Sequence, residues 1–179
     1  MQSTQHIDVN DLAERYGDFP ALQSSSRQVL WSELPDAIYR WQSRLNLLSL
    51  KSGDPCALFM PPSINTILIL FAMWSRGIIV VPLNTRMPIA QLGALLQRIR
   101  CKVLISTNEM AEWHAANIRL ERVSNLLKKQ ITLTGIKRPF FPLHNNATIL
   151  FTSGSSGTSK ACLHTMANHY FSAQGSNEN

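Results

Sequence analysis

Between Pro55 and Ser106 the chain alternates two hydrophobic rhythms, and this alternation restricts the fold more than any other feature of the sequence. "PCALFM" is a short apolar run suited to a buried strand, and Pro61-Pro62 closes it because proline cannot extend a ladder. Ser63 stands where a helix N-cap belongs, ahead of "INTILILFAMWSR", which is apolar nearly all round and so expected to be covered on several sides. Gly77 ends that segment and "IIVVPL" supplies a β-branched strand. After "NTRMP", a helix at "IAQLGALLQRIR" leads into the strand "CKVLIS". Strand and helix in strict alternation predict βαβ units, the connection that parallel strands require. The class read from this pattern is α/β with a mostly parallel sheet.

The flanking segments add to that sheet. "ALQSSSRQVLW" reads as two short strands about a polar turn, an N-terminal hairpin. Ser32 is the expected N-cap of "ELPDAIYRWQSRLNLL", with Pro35 in the first turn, where its missing N–H costs nothing. Leu34, Ile38, Trp41 and Leu45 recur at helical spacing and form one apolar stripe. From Asn108 to Asn146 the pattern is less decisive: "EMAEWHAANIRLERVSNLLKKQ" holds one or two helices, and "IKRPFFPLHNN" reads as an extended connection. "ATILF" is a further strand, and a helix is expected to begin after Lys160.

Composition excludes several classes. With 179 residues and 45% hydrophobic content, the chain can bury a core as one domain. A net charge of +6 includes a basic run of Arg119, Arg122, Lys128, Lys129, Lys137 and Arg138. That run lacks aromatic interleaving or a nucleic-acid-binding module, so it reads as a solvated face and no nucleic acid is expected as partner. The three cysteines, Cys56, Cys101 and Cys162, are odd in number and far apart, which supports neither a disulfide framework nor a zinc site. They read as reduced thiols, mostly buried. The first twenty residues lack the build of a signal peptide. The most apolar region, Ile64 to Val81, is too interrupted for a membrane span, so a cytoplasmic location is expected.

The candidate site is "FTSGSSGTSKACLHT", residues 151 to 165. Thr152, Ser153, Ser155, Ser156 and Thr158 supply hydroxyl donors, Gly154 and Gly157 let the backbone N–H groups approach a ligand, and Lys160 supplies a mobile ammonium. Convergent donors with positive charge suit a polyphosphate. The spacing is not that of a Walker loop: five residues beyond Gly154 stands Ser159, and Ala161 follows Lys160. By composition alone a flexible linker fits equally well. The preceding strand and the return to apolar residues after Lys160 argue for a ligand loop, placed where α/β sheets bind ligands.

The order of residues decides between the two. "FTSGSSGTSKA" resembles the phosphate loop of the adenylate-forming enzymes, the acyl-CoA synthetases, luciferases and adenylation domains of peptide synthetases, whose pattern is roughly T-S-G-[ST]-T-G-x-P-K-[GA]. Ser156 stands where threonine is usual and keeps the hydroxyl; Ser159 replaces the usual proline, which implies a less rigid loop. The resemblance extends upstream through "VLWSEL", the stretch from Gly53 to Leu96 and "CKVLIST". Within the family, "KACLHTMANHYFSAQG" is most similar to the o-succinylbenzoate–CoA ligases of menaquinone synthesis.

The resemblance implies a two-step reaction in which a carboxylic acid and Mg·ATP give an acyl-adenylate and pyrophosphate, and coenzyme A then captures the acyl group as a thioester. It implies that Thr152, Ser153, Gly154, Ser155, Ser156, Gly157, Thr158 and Lys160 hold the β- and γ-phosphates. The family's Y-G-x-T-E and T-G-D segments and its C-terminal domain have no counterpart here. Residues 1–179 are therefore expected to be a partial N-terminal domain that ends just after the loop, inactive alone, with no tight hold on ATP, Mg²⁺ or CoA. Two other readings stay open: a non-catalytic phosphate-binding module, and a structural remnant that self-associates through exposed core surface. His164 and His169, five residues apart on a helix, would diverge by about 140°, which argues against a metal pair. His6, His114 and His144 are expected at the surface, and Trp31, Trp41, Trp74 and Trp113 in packing.

Overall fold

The computed structural model describes residues 5–107, 110, 113, 115, 117–131, 139–152 and 159–177. In chain order the elements are β1 (His6–Asp8), α1 (Val9–Tyr16), β2 (Pro20–Gln23), β3 (Gln28–Leu30), α2 (Leu34–Leu45), β4 (Pro55–Phe59), α3 (Ile64–Ser75), β5 (Ile79–Pro82) and α4 (Ile89–Arg98). There follow β6 (Val103–Ser106), β7 (Arg119–Arg122), α5 (Val123–Lys128), β8 (Phe140–Pro142), β9 (Asn146–Thr152), β10 (Lys160–Thr165) and α6 (Met166–Asn177).

Six strands form the main sheet in the order β10-β9-β5-β4-β6-β7, parallel throughout except for the antiparallel pair β9/β10. β2 and β3 form the expected hairpin, and β1 pairs antiparallel with β8. The central strands are buried on both faces, with side chains alternating between two apolar clusters. Cys56, Leu58, Val80, Val103 and Ile105 point into one, with α2 and α3; Ala57, Phe59, Val81 and Leu104 point into the other, with α4. No helix among the described residues is long and apolar enough to cross a membrane.

Local chemistry sets the ends of α3. Ser63 Oγ accepts from the Thr66 N–H at 3.1 Å, the cap expected from the sequence. At the other end Gly77 adopts φ +69°, its N–H donates to Trp74 O, and the Ile78 N–H donates to Met73 O at 2.9 Å. This is a Schellman closure, which needs a left-handed residue at the Gly77 position.

Four expectations are corrected. Ser32 does not cap α2: its hydroxyl donates to Asp18 Oδ1 at 3.0 Å, and the helix begins at Leu34 after Glu33. Glu33 has no capping bond, because its carboxylate turns back to accept from the Leu30 N–H. The stretch after Asn108 contains a strand as well as a helix: β7 pairs in parallel with β6, and only α5 follows it among the described residues. Its charged residues hid that strand, yet Glu121 is buried and paired with Arg119 at 2.7 Å. "FFP" in the supposed connection is β8, which gains its partner from the N-terminal β1, more than a hundred residues away in sequence. Finally, Lys160 begins a strand rather than a helix. β10 satisfies the backbone groups along the outer edge of β9, from Lys160↔Thr152 to His164↔Thr148, and the helix starts only at Met166.

Candidate functional site

β9 and β10 frame the hydroxyl–glycine segment as the two arms of a hairpin, and the paired residues Thr152 and Lys160 form its neck. Both neck residues are exposed, so the hydroxyl and the ammonium are open to a ligand. Ser153, Gly154, Ser155, Ser156, Gly157 and Thr158 lie outside the described residues, and so does the expectation about the loop's rigidity. Thr152 Oγ1 lies 3.8 Å from Cys162 Sγ, two residues beyond Lys160 on β10. Ser159, just before β10, offers its carbonyl to Arg98 Nη1 of α4 at 3.0 Å.

The base of the hairpin is held from the other side of the sheet. Trp74 Nε1 of α3 donates to Ala147 O at 2.9 Å, and His169 Nε2 of α6 lies 2.9 Å from the buried Thr148 Oγ1. The His169 ring packs on Trp74 with centroids 5.1 Å apart. Contrary to the helical projection, His164 and His169 stand close, with ring centroids 5.9 Å apart, because His164 belongs to β10 and only His169 to α6. Burial lowers the His169 pKa, and the neighbouring His164 lowers it further. The described residues contain no cluster of three or more His, Cys, Asp or Glu side chains fit to hold a metal.

Other expected residues fall into structural roles. His6 and His144 are exposed, and His114 lies outside the described residues. Trp41 is buried, while Trp31, Trp74 and Trp113 are half-buried against the core. Cys56 and Cys101 are buried free thiols, and desolvation raises the Cys101 pKa to about 11, too high for a reactive thiolate. Cys162 is free and half-buried. In the basic run, Arg119 and Lys129 both pair with buried Glu121, at 2.7 and 3.9 Å, so part of that charge is spent inside the fold.

The sequence profile of the AMP-binding enzyme family matches residues 9–178. The chain belongs to the AMP-binding enzyme family. It is 28% identical over 166 residues to 2-succinylbenzoate–CoA ligase of Bacillus licheniformis, covering 90% of this chain and 34% of that protein. The AMP complex of o-succinylbenzoate coenzyme A synthetase from Bacillus subtilis superposes with a TM-score of 0.85 at 24% identity, covering 96% of this chain and 45% of that one. A second structure of that enzyme, in complex with ATP and magnesium ion, gives a TM-score of 0.84 at 22% identity over 96% and 47% of the two chains. These superpositions show the fold. The chain spans about a third of the length of the 2-succinylbenzoate–CoA ligases it matches.

Within the family the site divides into legible and hidden parts. Thr152 and Lys160 were marked by residue type and order, and the structure brings them face to face at the loop's neck. Arg98 and the His169–Thr148 contact carried no sequence signal, because they join positions 61 and 21 residues apart on different elements.

Proposed function

We propose that this chain carries the phosphate-binding part of an AMP-forming acid–CoA ligase, with o-succinylbenzoate as the acid. The observation that carries the proposal is the hairpin neck. Thr152 and Lys160 pair across the β9/β10 ladder and close off a segment made only of Ser, Thr and Gly, in a chain of the AMP-binding family. Its relatives named as 2-succinylbenzoate–CoA ligases support the choice of acid.

In the proposed reaction a carboxylate oxygen of the acid attacks the α-phosphorus of ATP, and the bond to the bridging oxygen breaks to release pyrophosphate. The thiol of coenzyme A then displaces AMP and forms the thioester. The chain's own residues act in the first step. Backbone N–H groups at Gly154 and Gly157 and the hydroxyls of Thr152, Ser153, Ser155, Ser156 and Thr158 hold the β- and γ-phosphates. Lys160 offsets the charge that builds on departing pyrophosphate, where a fixed cation contributes most. Magnesium arrives with the nucleotide and neutralises phosphate charge.

The test separates the two half-reactions in a ligase that carries this loop. Lys160→Ala removes a charge-assisted contact of roughly 1.5–3 kcal/mol and slows acyl-adenylate formation accordingly. Pre-formed acyl-adenylate is converted to thioester at nearly the normal rate, since pyrophosphate has already left. Equal damage to both steps would make Lys160 structural and refute the assignment. For the 179-residue chain alone, with the acid, ATP and CoA, no pyrophosphate release above background is expected.

A further inference from the structure

The bond from Arg98 to Ser159 joins the last turn of α4 to the residue that precedes β10. We infer that Arg98 is a positioning residue for Lys160: its guanidinium ties Ser159, the residue before β10, to α4 and thereby sets where Lys160 stands. The inference rests on the reading of Lys160 as a phosphate-binding residue.

The need for such a tie follows from topology. β10 is the terminal strand of its sheet, and β9 is its single ladder partner among the described residues. The Thr152↔Lys160 pair is the last of that ladder, so Ser159 lies just past the final pair, where hairpin arms fray. Serine leaves φ free, so the backbone at Ser159 does not fix the direction in which Lys160 leaves the loop. A contact from outside the hairpin supplies that constraint.

The anchor is firm. Leu92 and Leu96 of α4 are fully buried and share an apolar cluster with Ile149 and Phe151 of β9. Helix and hairpin therefore keep a fixed relation below the loop, and Arg98 carries it to the exit. A charged donor makes a stronger bond to a carbonyl than a neutral one does. The Arg98 side chain is itself exposed, so losing it costs the fold little while releasing one point on the loop.

Hydrogen–deuterium exchange on the ligand-free 179-residue chain tests this directly. In Arg98→Ala, the amides at the start of β10 exchange faster by about three- to tenfold, as expected for one lost bond. Exchange in α3 and the thermal midpoint stay unchanged. Arg98→Lys, which keeps a charged donor, falls between the alanine variant and the wild type. Unchanged exchange at β10 in the alanine variant would overturn the inference. So would an increase spread evenly over α4, β9 and β10, which would mark a general loss of structure.

Adding Mg·ATP distinguishes this inference from the reading beneath it. Protection of the β10 amides in the wild type, diminished in Arg98→Ala, supports both. If saturating Mg·ATP protects nothing here in a full-length ligase that carries this loop and Arg98, while Arg98→Ala still accelerates exchange, the phosphate reading fails and the tie from α4 to the hairpin stands.

Discussion

His169 shows how a single side chain couples an element boundary to the site. Its Nε2 lies 2.9 Å from the buried Thr148 hydroxyl on β9, and its ring packs on Trp74. Burial and then His164 lower its pKa in the folded chain, so the unfolded chain takes up a proton more readily. The resulting stability is present above the unfolded value, about 6.5, and is lost as pH falls through the lowered folded value. Chemical denaturation from pH 7.5 to 5.0 should therefore show stability declining toward acid. His169→Gln, which keeps a polar group near Thr148, should flatten that decline; an unaltered profile would place the titration elsewhere. No periodicity in the sequence exposed this pairing, because the contact depends on where β10 ends and α6 begins.

The elements depend on a few residues at their ends. Gly77 sits at φ +69°, and a Cβ there would run into the Ser52 side chain. Gly77→Ala is thus expected to cost about 1–3 kcal/mol, from a strained left-handed residue together with the clash. Ser63→Ala should cost about 1 kcal/mol by removing the bond to the Thr66 N–H. Urea unfolding of both variants measures these costs, and a Ser63→Ala loss as large as that of Gly77→Ala would contradict the account. Both ends of α3 were legible because the cap and the glycine act within five residues of themselves. β7 and β10 were not: "RLER" is stabilised by a partner strand and by burial of Glu121, and "KACLHT" by the open edge of β9. An edge strand needs a neighbour, and the neighbour is absent from the local pattern.

At the scale of the molecule, successive residues of the central strands contribute to two apolar clusters. Leu68 and Ile69 on one side and Leu92 and Leu96 on the other are almost fully buried. Leu68→Ala and Leu92→Ala should each cost about 2–5 kcal/mol through lost burial and the cavity left behind. In a chain that unfolds in one step, both variants lower the same transition; a separate early transition for one would show the two faces to be independent. Alternating strands and helices from Pro55 to Ser106 were fixed by sequence alone, since periodicity and end signals are local and short-range sterics enforce them. Thr152 and Lys160, proposed here as phosphate-binding residues, were likewise marked by type and order, and the structure pairs them across the β9/β10 ladder. Only the tertiary structure decided the strand order, the antiparallel turn of β10, the pairing of β1 with β8 and the reach of Arg98 to Ser159. Each of these joins groups distant in sequence, and their energy exists only after the chain has folded far enough to bring both partners together.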